Sequence, residues 1–362
     1  MSVLNIIGSR LYNQQISQTR CDSPAEVVGW MGAVQAQDYM SAKWAVGLRV
    51  RSSTDAAVDQ ALADGSIIRT HVMRPTWHFV SPADVRWMLE LTASHVSAGL
   101  SYQARRLGLD KAVIKRSNAE FVKALKGGKQ LTRIELARLL KQPRRSADEL
   151  LRFTHLLIFA ELDGIICSGG RRGRQFTYAL LDKLVPPARA LKRDEALAEL
   201  TRRYFTSHGP ATVQDYVWWS GLTIAEARAG LELVKPQITN EVVDGVTYWF
   251  ASSAPPAKKK TGTAYLLPNF DEYMVGYSDR SGVIDPDHLK KLDGFGTALL
   301  GNSIVMDGRI VGTWKRTFNN NTVVIKMNLF DPLNKSGISA LNAAVKRYGK
   351  FFDMPVLISL SA

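Results

Sequence analysis

The stretch that decides the fold is residues 132–179, which read TRIELARLLKQPRRSADELLRFTHLLIFAELDGIICSGGRRGRQFTYA. It opens with a capping-box pattern, Thr132 to Glu135, which predicts a short helix. A longer helix is predicted over Ser146 to Leu162, because leucines and isoleucine recur there at helical spacing. Two strands then follow, at 164–168 and 175–179, around a glycine- and arginine-rich turn.

A preceding helix over 117–126 is ended by Gly127-Gly128, and it completes a set of three helices and a hairpin. That order is typical of a winged helix. In such a unit the third helix is the candidate for the DNA major groove, and the hairpin tip reaches phosphates. A plain helical bundle with a hairpin is the alternative.

The same pattern is predicted twice more, once on each side. The first copy has helices near 24–33, 41–48 and 54–64 and strands at 67–73 and 76–80. The third copy has helices at 193–205, 212–219 and 223–234 and a hairpin that turns at Asp244-Gly245. The predicted division is 1–110 for winged-helix unit 1, 111–188 for unit 2 and 189–255 for unit 3.

The remaining residues, 256–362, change character. Short strands are predicted at 264–267, 310–314 and 322–327, followed by an amphipathic helix at 336–348. A proline- and lysine-rich segment at 252–262 is interpreted as the linker to this β-rich part. The predicted fold class is α+β, with three tandem winged-helix units before the C-terminal part.

The charge balance points to an anionic partner. The 362 residues carry a formal net charge of +14, so nucleic acid is the first expectation and an anionic membrane the second. No apolar run reaches the ~20 residues that span a bilayer, and the start has no secretory pattern, so a cytoplasmic protein is expected. Cys21 and Cys167 are far apart and predict two buried thiols rather than a disulfide or metal site.

Searches for catalytic motifs are negative. The sequence has no phosphate-binding GxxxxGK[ST] loop, no GxSxG elbow and no histidines at metal-ligand spacing. From these features alone, the chain is interpreted as a basic DNA-binding protein, and a transcription regulator is preferred.

A set of short motifs, in a fixed order, changes this preference. Taken together they resemble the AlkZ-like family of bacterial winged-helix DNA glycosylases, and they span nearly the whole chain. The motifs are 35–37 (QAQ), 74–78 (RPTWH), 208–212 (HGPAT), 218–222 (WWSGL), 266–273 (LLPNFDEY) and 307–314 (DGRIVGTW).

The resemblance implies three tandem winged helices joined to a C-terminal β-barrel-like part, in a C-shaped arrangement around duplex DNA. It implies a monofunctional glycosylase that excises cationic N7- or N3-alkylated purines, and some members open interstrand cross-links. It implies a monomer whose partner is double-stranded DNA with alkylated bases, and we expect no cofactor and no metal. The family's Gln-x-Gln motif matches Gln35 and Gln37, which are the expected catalytic residues.

Two amides are unusual catalysts, because a carboxylate is the more common base. An N-alkylated purine already carries positive charge, however, so it leaves with little acid assistance. We hypothesise that Gln35 and Gln37 orient a water beside C1′ and that their carbonyl dipoles stabilise the developing positive charge on the sugar. If the segment is extended, both side chains lie on one side. Asp38 as the base, or two glutamines that only bond loop backbone, are the alternatives.

Cationic side chains in two hairpins are the expected DNA contacts. Arg171, Arg172 and Arg174 lie at the predicted wing tip of unit 2, and an ordinary solvated loop is the alternative there. Lys315 and Arg316 belong to a hairpin over 313–327 that is a candidate to probe the duplex, or else is a plain barrel hairpin. A non-catalytic regulator and a resistance protein that sequesters a genotoxin are the rival functions.

Overall fold

The computed structural model describes residues 4–141, 146–253, 261–291 and 301–360. Its first part, repeat 1 (residues 6–80), contains four helices and three strands. They are α1 (Ile6–Asn13), α2 (Pro24–Met31), β1 (Ala33–Gln35), α3 (Tyr39–Gly47), α4 (Asp55–Ala63), β2 (Ile68–Val72) and β3 (Arg74–Val80).

A long helix, α5 (Val85–Arg106), leads into repeat 2 (residues 111–184). The sequence did not predict α5. Its buried residues pack against several elements at once, including β2 and helices of the repeats that follow, so they do not form one clean stripe. Repeat 2 consists of α6 (Lys111–Leu125), β4 (Leu131–Thr132), α7 (Arg133–Leu139), α8 (Ala147–Leu162), β5 (Ile166–Arg172), β6 (Gln175–Leu180) and α9 (Leu181–Leu184).

Repeat 3 (residues 193–251) has the same order of helices and hairpin. It contains α10 (Arg193–Ser207), α11 (Val213–Ser220), α12 (Ile224–Val234), β7 (Ile238–Val243) and β8 (Val246–Ala251). The three predicted sets of helices followed by a hairpin are therefore present.

Local sequence signals are confirmed where they fix helix and strand ends. Thr132 with Glu135, and Thr223 with Glu226, form the predicted capping boxes. Gly221 has a φ of 72° at the end of α11, where a left-handed residue terminates a helix. Asp244 and Gly245 also have positive φ, as the β7–β8 hairpin turn requires.

The helix predicted to read the major groove, α8, is buried over its second half. Residues 155–162 of α8 are all buried, because α5, α6 and β5 pack around this half of the helix. The exposed first turn of α8 carries Asp148 and Glu149, which would repel phosphate. The buried half of α8 therefore cannot contact DNA, and the assignment of this helix to the major groove stays a prediction for its first two turns.

One six-stranded sheet joins the hairpins of repeats 1 and 2. Its strand order is β1-β3-β2-β5-β6-β4, and the two hairpins meet where Arg69 pairs with Ser168. The strands β7 and β8 form a separate two-stranded sheet. Because the sheet is shared, the arginine-rich tip of the β5–β6 hairpin is held in a fixed relation to the Gln35 segment at the end of β1.

The C-terminal part (residues 264–360) is an open sheet, not the expected barrel. Its elements are β9 (Ala264–Leu267), α13 (Glu272–Val275), a 3₁₀ turn (Ser281–Val283), α14 (Pro286–Lys291), β10 (Ser303–Met306), β11 (Arg309–Asn319), β12 (Thr322–Leu329), α15 (Lys335–Phe352) and β13 (Val356–Leu360).

The order of its five strands is β13-β12-β11-β10-β9, and in the described residues the edge strands β13 and β9 do not pair. Here α15 covers the sheet instead, and Tyr348 packs edge-on against both Trp314 and Trp44. The predicted linker lies mostly at 254–260, outside the described residues.

The core of repeat 1 is continuous with the core of the C-terminal part, since Trp44 and Phe79 belong to the same buried cluster as Trp314 and Tyr348.

Both cysteines are buried thiols, as predicted. A search of the described helices finds none with the length and apolarity to cross a bilayer.

A buried ion pair ties these two parts together. The guanidinium of Arg49, just after α3, donates to both carboxylate oxygens of Asp271, at 2.8 and 2.7 Å. Both side chains are almost fully excluded from solvent. Gln14 accepts a further hydrogen bond from Arg49, at 3.0 Å. Asp271 also caps α13 by accepting from the Tyr273 N–H, so the pair fixes the loop before that helix.

We expect Asp271→Asn to lower the free energy of unfolding by about 3–5 kcal/mol, because it leaves the Arg49 charge buried without its counter-ion. Urea denaturation at neutral pH measures this. The matched control is Asp182→Asn, which breaks an exposed pair with Arg86 and should cost about 1 kcal/mol or less. Equal losses in the two variants would contradict the structural role of the buried pair.

Candidate active site

The Gln-x-Gln segment leaves the sheet at the end of β1, and the chain bends at Gln37 and Asp38. Val34 and Ala36 are buried in the core, whereas Gln35 is half-buried and Gln37 is exposed. Burial therefore alternates along residues 34–37, with the two glutamines at the more exposed positions. That both amides act on one substrate stays a prediction.

Strand β3 pairs with β1 next to these amides. Gln35 pairs directly with His78, and the Ala36 N–H donates to the Trp77 carbonyl at 2.7 Å, so the pairing continues beyond β1. Gln37 follows Ala36 at a bend of the chain, and Thr76 precedes Trp77 on β3. Directly opposed residues lie on the same face of a sheet, with Cβ atoms about 4.5–5.5 Å apart.

A buried carboxylate holds the backbone of the first glutamine. Glu272, the first residue of α13, accepts from the Gln35 N–H at 2.7 Å and from the Trp219 indole N–H at 3.0 Å. The His208 ring nitrogen lies 3.5 Å from the same carboxylate. Burial by itself would raise the pKa of Glu272, but the adjacent His208 ring, the nearby Arg74 charge and the Gln35 N–H outweigh it and hold the pKa at about 2. Glu272 is therefore an anion under all physiological conditions.

The histidine opposite Gln35 is neutral. Burial and then the adjacent Arg74 charge lower the pKa of His78 to about 3. Neutral His78 donates from Nδ1 to the Thr76 carbonyl at 2.9 Å, which fixes the peptide beside Gln37. The ring therefore carries no charge at the position opposite Gln35.

Asp38 has a structural task. Its carboxylate caps α3 by accepting from the Ser41 N–H at 3.1 Å and from the Ser41 hydroxyl at 2.9 Å. The Asn269 amide lies 3.4 Å away from the same group. Both carboxylate oxygens are thus committed to holding the start of α3, which favours the glutamines over Asp38 as the groups that address a substrate.

The three arginines of the β5–β6 hairpin have different surroundings. The guanidinium of Arg171 lies over the ring of Tyr39, 4.8 Å from its centroid, and Tyr39 follows Asp38 in the chain. Arg172 turns away, because it pairs with Glu135 at 2.7 Å and donates to the Gln130 carbonyl at 2.8 Å. Arg174 is exposed beside Gly173 at the turn. The structure therefore brings Arg171 next to the Gln-x-Gln segment and engages Arg172 elsewhere.

The second predicted hairpin approaches the segment from the other side. Arg316 on β11 lies 3.5 Å from the Ser41 hydroxyl, which also bonds Asp38. Lys315 is exposed on the same strand. The start of α3, directly after Gln37, is thus flanked by a cation from β5 and a cation from β11, which are distant in sequence.

Sequence reasoning missed the residues that support the segment from behind. Besides Glu272, Arg69 donates to the carbonyl of Ala36 at 3.2 Å and to the Ser168 hydroxyl at 3.2 Å. Its guanidinium lies between the rings of Trp77 and Phe176. Glu272 stands within the motif 266–273, so that motif did carry a signal, but nothing in the sequence indicated its contact with Gln35.

The described part of the chain holds no cluster of three or more potential metal ligands. The side chains gathered around the Gln-x-Gln segment are amides, hydroxyls and charged groups.

Comparisons with known proteins identify the family of this chain. A family model described as DNA glycosylase AlkZ-like matches residues 28–351. A curated relative, the interstrand DNA cross-link repair glycosylase of Streptomyces sahachiroi, is 27% identical over 330 residues, which cover 86% of each chain.

The solved structure of the Streptomyces sahachiroi DNA glycosylase AlkZ has the same fold, with a TM-score of 0.80 at 23% identity. The match covers 99% of this chain and 100% of that one. These findings confirm the resemblance and decide between the expected functions in favour of an enzyme rather than a regulator or a sequestering protein. The chain belongs to the AlkZ-like family, and it is a DNA glycosylase.

Proposed function

We propose that this glycosylase hydrolyses the N-glycosidic bond of cationic N7- or N3-alkylated purines in duplex DNA, with Gln35 and Gln37 as its catalytic residues. The observation that carries the proposal is the Gln35 side chain. Its Oε1 is buried, and it accepts no hydrogen bond from any residue that the structure describes. A buried carbonyl without a donor is unfavourable, so its retention beside Gln37 suggests that a donor arrives with the substrate complex.

The donor is the attacking water. Its two O–H groups donate to the carbonyl oxygens of Gln35 and Gln37, which directs a lone pair at C1′. The oxygen forms its bond to C1′ as the bond to the base nitrogen breaks. That electron pair neutralises the positive charge on the base, and the proton lost by the water passes to solvent. Both carbonyl dipoles point their negative ends at the developing oxocarbenium charge.

The buried charges favour the same step. Glu272 is the anion nearest to the Gln35 backbone, and its bond to the Gln35 N–H polarises that peptide. Neutral His78 lies opposite Gln35. Because the His78 ring is neutral, it does not repel a cationic base, as a protonated histidine at this position would.

The same proposal covers the path of the DNA. The three repeats act as winged-helix units with boundaries 1–110, 111–188 and 189–255, and with 256–362 they form a C-shaped arrangement around a duplex. Arg171, Arg174, Lys315 and Arg316 contact phosphates on either side of the Gln-x-Gln segment. Arg172 contributes less, because Glu135 already neutralises it.

Interstrand cross-links are included in the proposed substrates. The similar Streptomyces sahachiroi protein is named for the repair of such cross-links. This chain carries glutamine at both positions of the motif, whereas a related branch of the family has aspartate at the second, so the resemblance favours the cross-link-tolerant branch.

The test of the amide pair is single-turnover release of N7-methylguanine from a duplex. We expect Gln37→Ala to slow release by about 100-fold or more, because it removes one of the two groups that orient the water. Affinity for undamaged duplex should stay unchanged. The matched control is Gln60→Ala, at an exposed glutamine of α4, which should release base at the wild-type rate.

The variant Asp38→Asn distinguishes a role of Asp38 as catalytic base from its role as helix cap, because asparagine caps helices as well as aspartate does. It should keep the rate within a few-fold of wild type. Release at the wild-type rate by Gln37→Ala, together with loss of activity in Asp38→Asn, would assign the base role to Asp38 and refute the amide mechanism.

The phosphate contacts are tested by the salt dependence of duplex binding. Replacing Arg171 and Arg174 together by glutamine should reduce the slope of log K against log salt by about 1.8, since each phosphate contact contributes about 0.9. Fluorescence anisotropy at several salt concentrations measures this slope. Arg189→Gln is the control, because that exposed guanidinium pairs with Glu195. A slope that stays at the wild-type value in the double variant would exclude the hairpin tip from the footprint.

A further inference from the structure

Unsatisfied polar atoms are concentrated on the strands that carry the site. Among the described residues, four buried side-chain atoms without a hydrogen-bond partner lie on β1, β2 and β3. They are Gln35 Oε1, Thr70 Oγ1, Arg74 Nε and Thr76 Oγ1. Native structures pair most of their buried polar groups, so such a concentration needs an explanation.

The Thr76 hydroxyl is the member of this set that lies beside the catalytic amides. Gln35 pairs with His78, and the hydrogen bond from the Ala36 N–H to the Trp77 carbonyl continues the same register. Continued by one residue, this register brings Gln37, where the chain bends, to the level of Thr76. Thr70 is also opposite His78, but on β2, one strand farther from the glutamines.

The position of Thr76 is fixed from both sides. Its carbonyl accepts from His78 Nδ1 at 2.9 Å, and Pro75 restricts the backbone before it. Thr76 is only half-buried as a residue, although its Oγ1 is buried. The hydroxyl is thus held at the rim of the site without a partner of its own.

In the proposed mechanism, one hydrogen-bonding position of the attacking water has no partner in the protein. The two glutamine carbonyls accept its two protons, and one lone pair faces C1′. The second lone pair needs a hydrogen-bond donor, which the carbonyl oxygens cannot provide. A threonine hydroxyl can donate there, and Thr76 is the hydroxyl that the register places beside Gln37.

We propose that Thr76 is a further catalytic residue, whose hydroxyl donates to the attacking water and directs its free lone pair at C1′. This inference rests on the proposed function of Gln35 and Gln37. No bond is made or broken at the threonine, so the balance of the hydrolysis is unchanged.

The test uses Thr76→Val, which keeps the branched shape and removes the hydroxyl. We expect about a tenfold or larger loss in the single-turnover rate of N7-methylguanine release, with unchanged affinity for undamaged duplex. The Tm should stay the same or rise, because a buried hydroxyl without a partner costs stability. Thr76→Ser should restore most of the rate. Thr70→Val is the matched control, with wild-type rate expected.

Three results would overturn the proposal while leaving the proposed function intact. They are a wild-type rate in Thr76→Val when Gln37→Ala is slow, an equal loss of rate in Thr70→Val, or a lower Tm in Thr76→Val with no rescue by serine. Failure of the proposed function looks different: the wild-type protein itself would release no base, and Thr76 would have no catalytic water to direct.

Discussion

Two adjacent buried carboxylates, Asp271 and Glu272, impose the constraint on which the rest of this structure depends. An anion without partners in a protein interior is very unfavourable, so each carboxylate needs a counter-ion or hydrogen-bond donors in the folded chain. Asp271 meets Arg49 of repeat 1. Glu272 meets the Gln35 N–H of repeat 1 and the Trp219 indole of repeat 3. One dipeptide of the C-terminal part therefore aligns three parts of the chain around the Gln-x-Gln segment.

The side chains that hold the Gln-x-Gln backbone in place differ from those that we propose to act on the substrate. Charges lie behind the segment, where Glu272 and Arg69 hold the backbone on either side of the Gln35–Ala36 peptide. The uncharged side chains of Gln35, Gln37 and Thr76 are the groups that we propose to face the substrate. Cations from two hairpins, Arg171 and Arg316, stand beside it. Such a site suits the proposed substrate, a DNA duplex with anionic phosphates on its outside and one cationic base at the reacting position.

Local signals in the sequence predicted the local structure well. The capping boxes at Thr132 and Thr223 and the turn at Asp244-Gly245 depend on neighbours within four residues, and all are present. Long-range packing could not be read in the same way. The burial of α8, the pairing of Arg172 with Glu135 and the contact between Glu272 and Gln35 all depend on residues far apart in the chain. The barrel expectation failed for the same reason, because strands that alternate correctly can lie in an open sheet covered by a helix.

The central claim, that Glu272 serves catalysis by fixing Gln35, is tested most directly by a double-mutant cycle on the rate of base release. The variants are Glu272→Gln, Gln35→Ala and the combination, measured in single turnovers at neutral pH. If Glu272 acts through Gln35, its replacement slows the wild-type enzyme but has little further effect once Gln35 is alanine. Losses that multiply in the combined variant would show that the two residues act independently, and would contradict the account.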